Sequence, residues 1–260
     1  MNNVTLTMFK PLFEHELCLL ENPVCEQCDA QIRHPLLPWL VGQSFSDSNE
    51  RILFVGKPHR GTPGEILPSG IINPTNMVAD SLWDKNWPYW SYTREIAENL
   101  YGHNAADFIA FTNLIKCTNV GADDGESTSI DKTTYGMAES CVLKLGVIWK
   151  EVERLQARTI VFYTYGTRRN GMLRDVLQSI PVALRGSVQE ITPQDHSIPC
   201  KNKQLRWWER ACRTAWTDNL RLLVVGHPER MGRKEFVGLL TNWLRPDPTL
   251  EGTRQTTARR

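Results

Sequence analysis

Long apolar segments are missing from this chain of 260 residues. No stretch approaches the roughly 18 consecutive apolar residues that a membrane-spanning helix needs, so we expect no membrane span. Residues 1–10 also lack the basic stretch, apolar core and small-residue cleavage site that mark a signal peptide. These absences predict a cytoplasmic protein, and the hydrophobic content of 41% is enough for one sizeable α/β core.

A secretory context is therefore not expected, and the seven cysteines are an odd number. A disulfide framework is disfavoured on both grounds, and metal ligation is the better explanation. Cys25 and Cys28 form a Cys-x2-Cys pair, in which the chain bends so that two sulfurs face one metal, in zinc and iron–sulfur sites alike. A thioredoxin-like redox role would need a preceding strand, and the sequence shows none.

The net charge of +1 hides an asymmetry along the chain. Residues 201–260 carry 13 Lys and Arg against 6 Asp and Glu, whereas the first 200 residues carry 17 against 23. A basic final quarter suits a polyanion such as DNA, although a solvated basic surface explains the charge equally well. The polar residues 246–260 are predicted to be a disordered tail, which leaves residues 1–245 as a single domain.

Four short apolar runs are each followed by a turn, and stretches with helical spacing separate them. The runs are residues 52–55, 108–111, 159–164 and 222–225. Strands alternating with helices predict an α/β fold, a three-layer α/β/α sandwich around a central four-stranded parallel sheet. Ligands of such sheets bind outside the carboxyl ends of the strands, where this chain places His59, Glu65, Asn113 and His227.

The heptapeptide at residues 111–117, Phe-Thr-Asn-Leu-Ile-Lys-Cys, carries two candidate functional groups. The amide of Asn113 follows a buried strand and is well placed to read the edge of a ligand, and Cys117 is a candidate metal ligand. A strand that ends in a turn with an ordinary buried cysteine is the simpler interpretation of this segment alone. Residues 84–92 hold four aromatics, which suit either a stacking platform for a flat ligand or the edge of a core.

Taken in order, the Cys-x2-Cys pair, the heptapeptide and Gly226-His227-Pro228 resemble the uracil-DNA glycosylase superfamily, most closely its iron–sulfur branches, families 4 and 5. The resemblance covers roughly residues 25–244. It implies a 4Fe-4S cluster held by four cysteines, namely Cys25, Cys28, Cys117 and Cys141. Cys200 or Cys212 are alternatives for the fourth ligand. Zinc is the alternative metal, because thiolates alone do not decide between the two.

The same resemblance implies roles for residues at the strand ends. Asn113 would read the Watson–Crick edge of a flipped pyrimidine, and His227 would stabilise the negative charge that develops on the leaving base. Residues 229–234 resemble the DNA-intercalating loop of the family. In that loop Arg230 or Met231 would wedge into the base stack, while Arg233 and Lys234 would neutralise phosphates.

The chain departs from the family after the first strand. Family members carry an Asp, Asn, Glu or Ala–Pro pattern there, whereas this chain reads Lys57-Pro58-His59-Arg60. The water-activating residue cannot be carried over, and His59 and Glu65, with Asn73 and Asp80 further on, are the candidates. An altered motif suggests a remodelled pocket for a modified pyrimidine. Glucosylated hydroxymethylcytosine of phage DNA, which some superfamily members of this layout remove in bacterial defence, is such a base.

The sequence thus predicts a monomeric, monofunctional DNA glycosylase that hydrolyses an N-glycosidic bond and leaves an abasic site. A uracil-DNA glycosylase of base-excision repair and a non-catalytic DNA-binding relative are the alternatives. A redox enzyme that uses the Cys25–Cys28 pair is a more distant one.

Overall fold

The computed structural model describes residues 4–59, 64–74, 82–119, 133–165, 195–200 and 203–245. The expected disordered tail at residues 246–260, the helical stretch at residues 168–179 and Asp80 lie outside these described residues. No helix within them is long and apolar enough to cross a bilayer.

Within the described residues, nine strands form two sheets. They are β1 (Leu40–Val41), β2 (Ile52–Gly56), β3 (Glu65–Ile66), β4 (Ile72–Asn73), β5 (Ile109–Asn113), β6 (Thr159–Tyr165), β7 (Asp195–Cys200), β8 (Lys203–Cys212) and β9 (Leu220–Gly226). The main sheet has seven strands in the order β1-β5-β2-β6-β9-β8-β7, and β3 pairs with β4 separately. The α-helices are Val4–Pro11, Pro23–Glu26, Pro88–Tyr101, Tyr135–Ala138, Val147–Leu155 and Arg233–Leu244, with π-helical turns at Leu12–Glu16 and Glu139–Lys144 and 3-10 turns at Phe45–Asp47, Ala105–Phe108 and Pro228–Arg230.

The predicted α/β fold is confirmed, and the four predicted strands are the parallel centre of the main sheet, β5-β2-β6-β9. The expected size of the sheet was too small, because three antiparallel strands extend it: β1 at one edge, and β8 and β7 at the other. The four central strands could be predicted from the sequence because strands buried on both faces appear as continuous apolar runs. By contrast β8 mixes charged and aromatic residues, and β7 contains Pro199, which fits an edge strand.

The main sheet separates two apolar cores. Along β2, Leu53 and Val55 join a core with Val4–Pro11 and Val147–Leu155, whereas Ile52 and Phe54 join a core with the other two long helices. Successive side chains of a strand point to opposite faces, so this alternation explains the division. The four cysteines of the predicted cluster pack against the first core, while Tyr89 and Met231 pack against the second.

The helix Pro88–Tyr101 matters most for the site because its first turn reaches the carboxyl ends of the central strands. Pro88 starts the helix at a position where a missing N–H costs nothing. Gly102 ends it with a φ of 78°, which suits glycine. Trp90, Ile96 and Ala97 are buried on the sheet, so the helix is fixed by the core rather than by its ends.

Candidate functional site

Asn113 is the last residue of β5 and lies beside Gly56, its register partner at the end of β2. The side chain is only 3% exposed, and its Nδ2 is buried without a hydrogen-bond partner among the described residues. A buried polar group left without a partner costs about 1–3 kcal/mol. An unpaired buried amide at a strand end therefore needs an explanation.

A buried ionic network holds this strand end in place. The Lys116 Nζ donates to Glu151 Oε2 at 2.7 Å, to Thr112 Oγ1 at 2.7 Å and to the Asn113 carbonyl at 2.5 Å. Thr112 Oγ1 donates in turn to Glu151 Oε2 at 3.0 Å. Burial raises the pKa of Glu151, and the charge and hydrogen bonds of Lys116 oppose that rise. Because Lys116 donates a hydrogen bond to the carbonyl of Asn113, the network fixes the backbone at the end of β5.

Sequence reasoning missed this network, although one signal was available. Glu151 lies between Val147, Ile148, Val152 and Leu155, all buried, in a helix whose apolar residues recur at helical spacing. A carboxylate inside such a stripe needs a buried partner. The sequence did not show which of the lysines it would be.

His227 follows β9 and begins the 3-10 turn Pro228–Arg230. Its Nδ1 accepts the N–H of Glu229 at 3.4 Å, which places the proton of a neutral imidazole on Nε2. The Glu229 carboxylate also lies 3.6 Å from Nδ1. The imidazole is thus oriented by contacts with its own loop.

Tyr89 connects the two predicted residues and was not predicted itself. Its ring lies parallel to that of His227, with the centroids 5.2 Å apart and the planes within 6°. Its hydroxyl lies over Gly56: a Cβ there would be 1.5 Å from the oxygen. Because Gly56 is the partner of Asn113, these residues gather Asn113 and His227 at one edge of the sheet. The hydroxyl is buried and has no hydrogen-bond partner among the described residues.

The aromatic side chains at residues 84–92 differ in their exposure to solvent. Trp90 is buried in the core, as one of the two interpretations predicts. Trp87 is 58% exposed at the start of the helix Pro88–Tyr101, where it remains available for stacking. Tyr89 lies between these extremes, with a partly exposed ring and a buried hydroxyl.

The two candidates for water activation lie in different surroundings. His59 is 4% exposed, and its Nε2 is 3.1 Å from the carbonyl of Lys116, so the ring packs against the predicted heptapeptide. If Nε2 donates to that carbonyl, Nδ1 is the unprotonated nitrogen. Glu65 is exposed in β3, on the separate two-stranded sheet, where it pairs with the buried Asn73. His59 thus contacts the segment that carries Asn113.

The predicted DNA-intercalating loop is held against the body of the protein. Met231 packs its methyl over Gly226, and its carbonyl accepts the hydroxyl of Tyr92 at 3.3 Å. Arg233 lies 2.5 Å from a carboxylate oxygen of Glu95, so its charge is partly compensated. Lys234 is exposed on the first turn of the helix Arg233–Leu244, while the side chain of Arg230 lies outside the described residues.

The four predicted metal ligands meet at one cavity. Cys25, Cys28, Cys117 and Cys141 all line a space of about 60 Å³, together with Arg33, Lys116 and apolar side chains. About 10–15 Å³ of such space holds one water, so the cavity has room for several atoms. The two alternative ligands do not line it: Cys200 Sγ accepts the N–H of Gly232 at 3.1 Å, and Cys212 pairs with Leu220 in the sheet.

The chemistry of these thiols suits a soft metal centre. Burial raises the pKa of Cys25 to about 11 and that of Cys141 to about 12, and it raises the pKa of Cys117 well above its ordinary value. In each of these three cysteines burial disfavours the charged thiolate. Within the described parts of the chain, no three His, Cys, Asp or Glu side chains are grouped in a way that could hold a metal ion.

No protein-family model matches the chain, and no curated protein is significantly similar to it.

Proposed function

We propose that this protein is a monofunctional DNA glycosylase of the uracil-DNA glycosylase superfamily, acting on a pyrimidine flipped out of DNA. The observation that carries the proposal is the buried, unpartnered amide of Asn113 at the end of β5. An amide that offers a donor and an acceptor suits the adjacent carbonyl and ring nitrogen of a pyrimidine. A flipped base would supply the partner that Asn113 lacks in the free protein.

His227 supports bond cleavage in this proposal. As the glycosidic bond breaks, negative charge builds on the base, and an oriented donor lowers the energy of that charge. With the N–H of Glu229 on Nδ1, a neutral imidazole carries its proton on Nε2, and this N–H is the proposed donor to the base. The parallel ring of Tyr89 restricts the imidazole on one face.

The attacking water is assigned to His59 rather than to Glu65. A dissociative, oxocarbenium-like cleavage needs a positioned water more than a strong base. His59 is buried with its Nε2 3.1 Å from the carbonyl of Lys116, so its ring is held against the segment that carries Asn113. The exposed position of Glu65 in β3 gives it no comparable orientation.

The cysteine cavity is proposed to hold a 4Fe-4S cluster, with zinc as the alternative. Thiolates alone do not decide between the two metals. Support for a metal centre here is that the four thiols line one cavity. When bound, the cluster would act as a structural cross-link, since glycosidic hydrolysis transfers no electrons. Cys25 and Cys28 would thereby tie the N-terminal region to Cys117, next to Lys116.

The substrate is proposed to be a modified pyrimidine, such as glucosylated hydroxymethylcytosine of phage DNA. The altered residues after β2 and the exposed ring of Trp87 support a pocket different from one that accepts uracil alone. Uracil remains the alternative substrate.

An abasic-site assay tests the function with three DNAs: uracil-containing DNA, unmodified DNA and phage DNA with glucosylated hydroxymethylcytosine. We expect cleavage at the modified cytosines alone. Asn113→Ala and His227→Ala should each lower turnover about a hundredfold or more while DNA binding is retained. Asn104→Ala and His103→Ala are matched controls, because both side chains are exposed on the turn after Tyr101.

Other outcomes of this assay have defined meanings. Cleavage of uracil-containing DNA alone would assign the protein to base-excision repair. If iron-replete protein binds DNA but cuts none of the three, a non-catalytic DNA-binding relative replaces the proposal. A covalent adduct trapped with borohydride and lost in Lys57→Ala would contradict the monofunctional mechanism.

A further inference from the structure

We infer that Tyr89 is a substrate-binding residue whose hydroxyl donates a hydrogen bond to a carbonyl oxygen of the flipped base. This inference rests on the proposed function, which places the base at the ends of β2 and β5. It adds a second base-contacting group beside Asn113, and this group lies on the helix Pro88–Tyr101 rather than on a strand. The ligand class is a pyrimidine, since O2 of the ring is present in uracil and cytosine derivatives alike.

The hydroxyl of Tyr89 lies over the end of β2. It lies so close to Gly56 that a Cβ there would be 1.5 Å away, so the phenol fits only because this residue is glycine. Gly56 and Asn113 are register partners in the parallel pair of β2 and β5. In such a pair, facing residues lie side by side at the same level of the sheet. The hydroxyl of Tyr89 and the amide of Asn113 therefore reach the same edge of the sheet from adjacent positions.

The hydroxyl of Tyr89 and the side-chain amide nitrogen of Asn113 share one property. Tyr89 OH and Asn113 Nδ2 are buried, and within the described part of the chain neither makes a hydrogen bond. Buried polar groups in native proteins are nearly always paired, so an orphan needs an explanation. Two orphans at one strand end are explained together by a ligand that accepts hydrogen bonds from both.

The neighbouring Tyr163 shows how a buried tyrosine of the core is satisfied in this protein. Tyr163 is also buried, and its ring meets that of Tyr89 edge to face at 5.9 Å. The hydroxyl of Tyr163 is paired with Thr93 Oγ1 at 2.9 Å. A phenol that serves only the core is thus satisfied in this protein, and Tyr89 differs from it.

The ring of Tyr89 is held so that its hydroxyl keeps one direction. It packs edge to face on Phe111 at 5.0 Å, and it stacks on His227. The ring of Tyr89 contacts Phe111 in β5 and His227 just after β9. A base that contacts Asn113 and His227 therefore also contacts Tyr89. Phenols ionise only near pH 10, so the hydroxyl acts as a donor at neutral pH.

Tyr89→Phe tests the inference because it removes one oxygen and leaves the ring stack in place. We expect kcat/KM on the DNA that is cleaved to fall about tenfold or more, as when a base loses one hydrogen bond in a site built for it. Affinity for unmodified duplex should stay unchanged. The melting temperature should not fall, because the lost hydroxyl had no partner. Tyr101→Phe is the control: it lies at the other end of the same helix, and its hydroxyl pairs with Ser48 at 3.1 Å.

A binding measurement separates failure of the inference from failure of the proposed function. The probe is duplex DNA that carries a 2′-fluorinated substrate nucleotide, which resists glycosidic cleavage, compared with the unmodified duplex. If wild type cuts no DNA but prefers the probe, and Tyr89→Phe loses that preference, the proposed activity fails and the Tyr89 contact stands. If Tyr89→Phe keeps both the turnover and the preference of wild type, the inference is wrong. If wild type shows neither turnover nor preference, both are wrong.

Discussion

Lys116 and Glu151 form an ion pair in the interior of the protein, with Nζ 2.7 Å from Oε2 and side-chain exposures of 1% and 0%. The pair joins the end of β5 to the helix Val147–Leu155. Its lysine also holds the carbonyl of Asn113 and lies one residue before Cys117. This one contact therefore links the proposed reading residue to the proposed cluster.

Removal of one partner of this pair should be costly. Lys116→Met leaves Glu151 buried without its cation, and we expect the free energy of unfolding to fall by about 3–5 kcal/mol. The double variant Lys116→Met/Glu151→Leu should regain most of that loss, because an apolar pair needs no compensation. Urea unfolding measures both.

The exposed pair of Lys150 and Glu153, 3.5 Å apart, provides the matched control. Lys150→Met should change stability by about 0–1 kcal/mol. If Lys116→Met proved as mild as this control, the buried network would have no part in fixing the strand end.

Stability should depend on pH through Glu151. Its pKa is raised above the ordinary 4.5 by burial, so the folded protein binds this proton more tightly than the unfolded chain does. Its contribution to stability is present below about pH 4.5 and is lost as the pH rises through the raised value. Above about pH 4.5, the free energy of unfolding of wild type should therefore fall relative to that of Glu151→Gln, by at most about 1.4 kcal/mol per pH unit. Urea unfolding of both proteins across this range checks it, and a difference that moves in favour of wild type would contradict the assignment.

Gly56→Ala should disturb the site through Tyr89. The new methyl would overlap the hydroxyl and the ring carbon that bears it, at 1.5 and 2.5 Å, so the phenol must move. We expect a loss of about 1–3 kcal/mol in stability, as for other overpacked cores, together with a loss of turnover. Gly238→Ala is the control, since nothing lies within 4 Å of a Cβ there. An active, stable Gly56→Ala protein would show that Tyr89 is not fixed over β2.

Metal content should follow the four cysteines of the cavity. Cys25→Ser and Cys141→Ser should each lose bound iron and the visible absorption of protein prepared without air. Cys18→Ser, which changes an exposed cysteine outside the cavity, should lose neither. Colourless, iron-free wild-type protein from the same preparation would exclude the cluster, and zinc in its place would support the alternative.

The central sheet was predictable because its four parallel strands are buried on both faces and read as apolar runs. The β7–β8 hairpin was not, because its residues are mixed in character and its edge strand contains Pro199. The sequence could place Asn113 and His227 at strand ends, since that follows from the order of strands and turns. It could not place Tyr89, because a contact between a helix and a glycine in a distant strand depends on tertiary packing. Glu65 is near His59 in sequence, but it is exposed whereas His59 is buried. Its catalytic role stays a prediction.

The alternation of side chains along β5 has an evolutionary consequence. Thr112 points to the face that holds Glu151 and the cysteines, and Asn113 points to the face that holds Tyr89. Under the proposed function, substitutions on the aromatic face would change which base is accepted without touching the Lys116–Glu151 pair that holds the strand end. New specificities would then arise while this ion pair is kept.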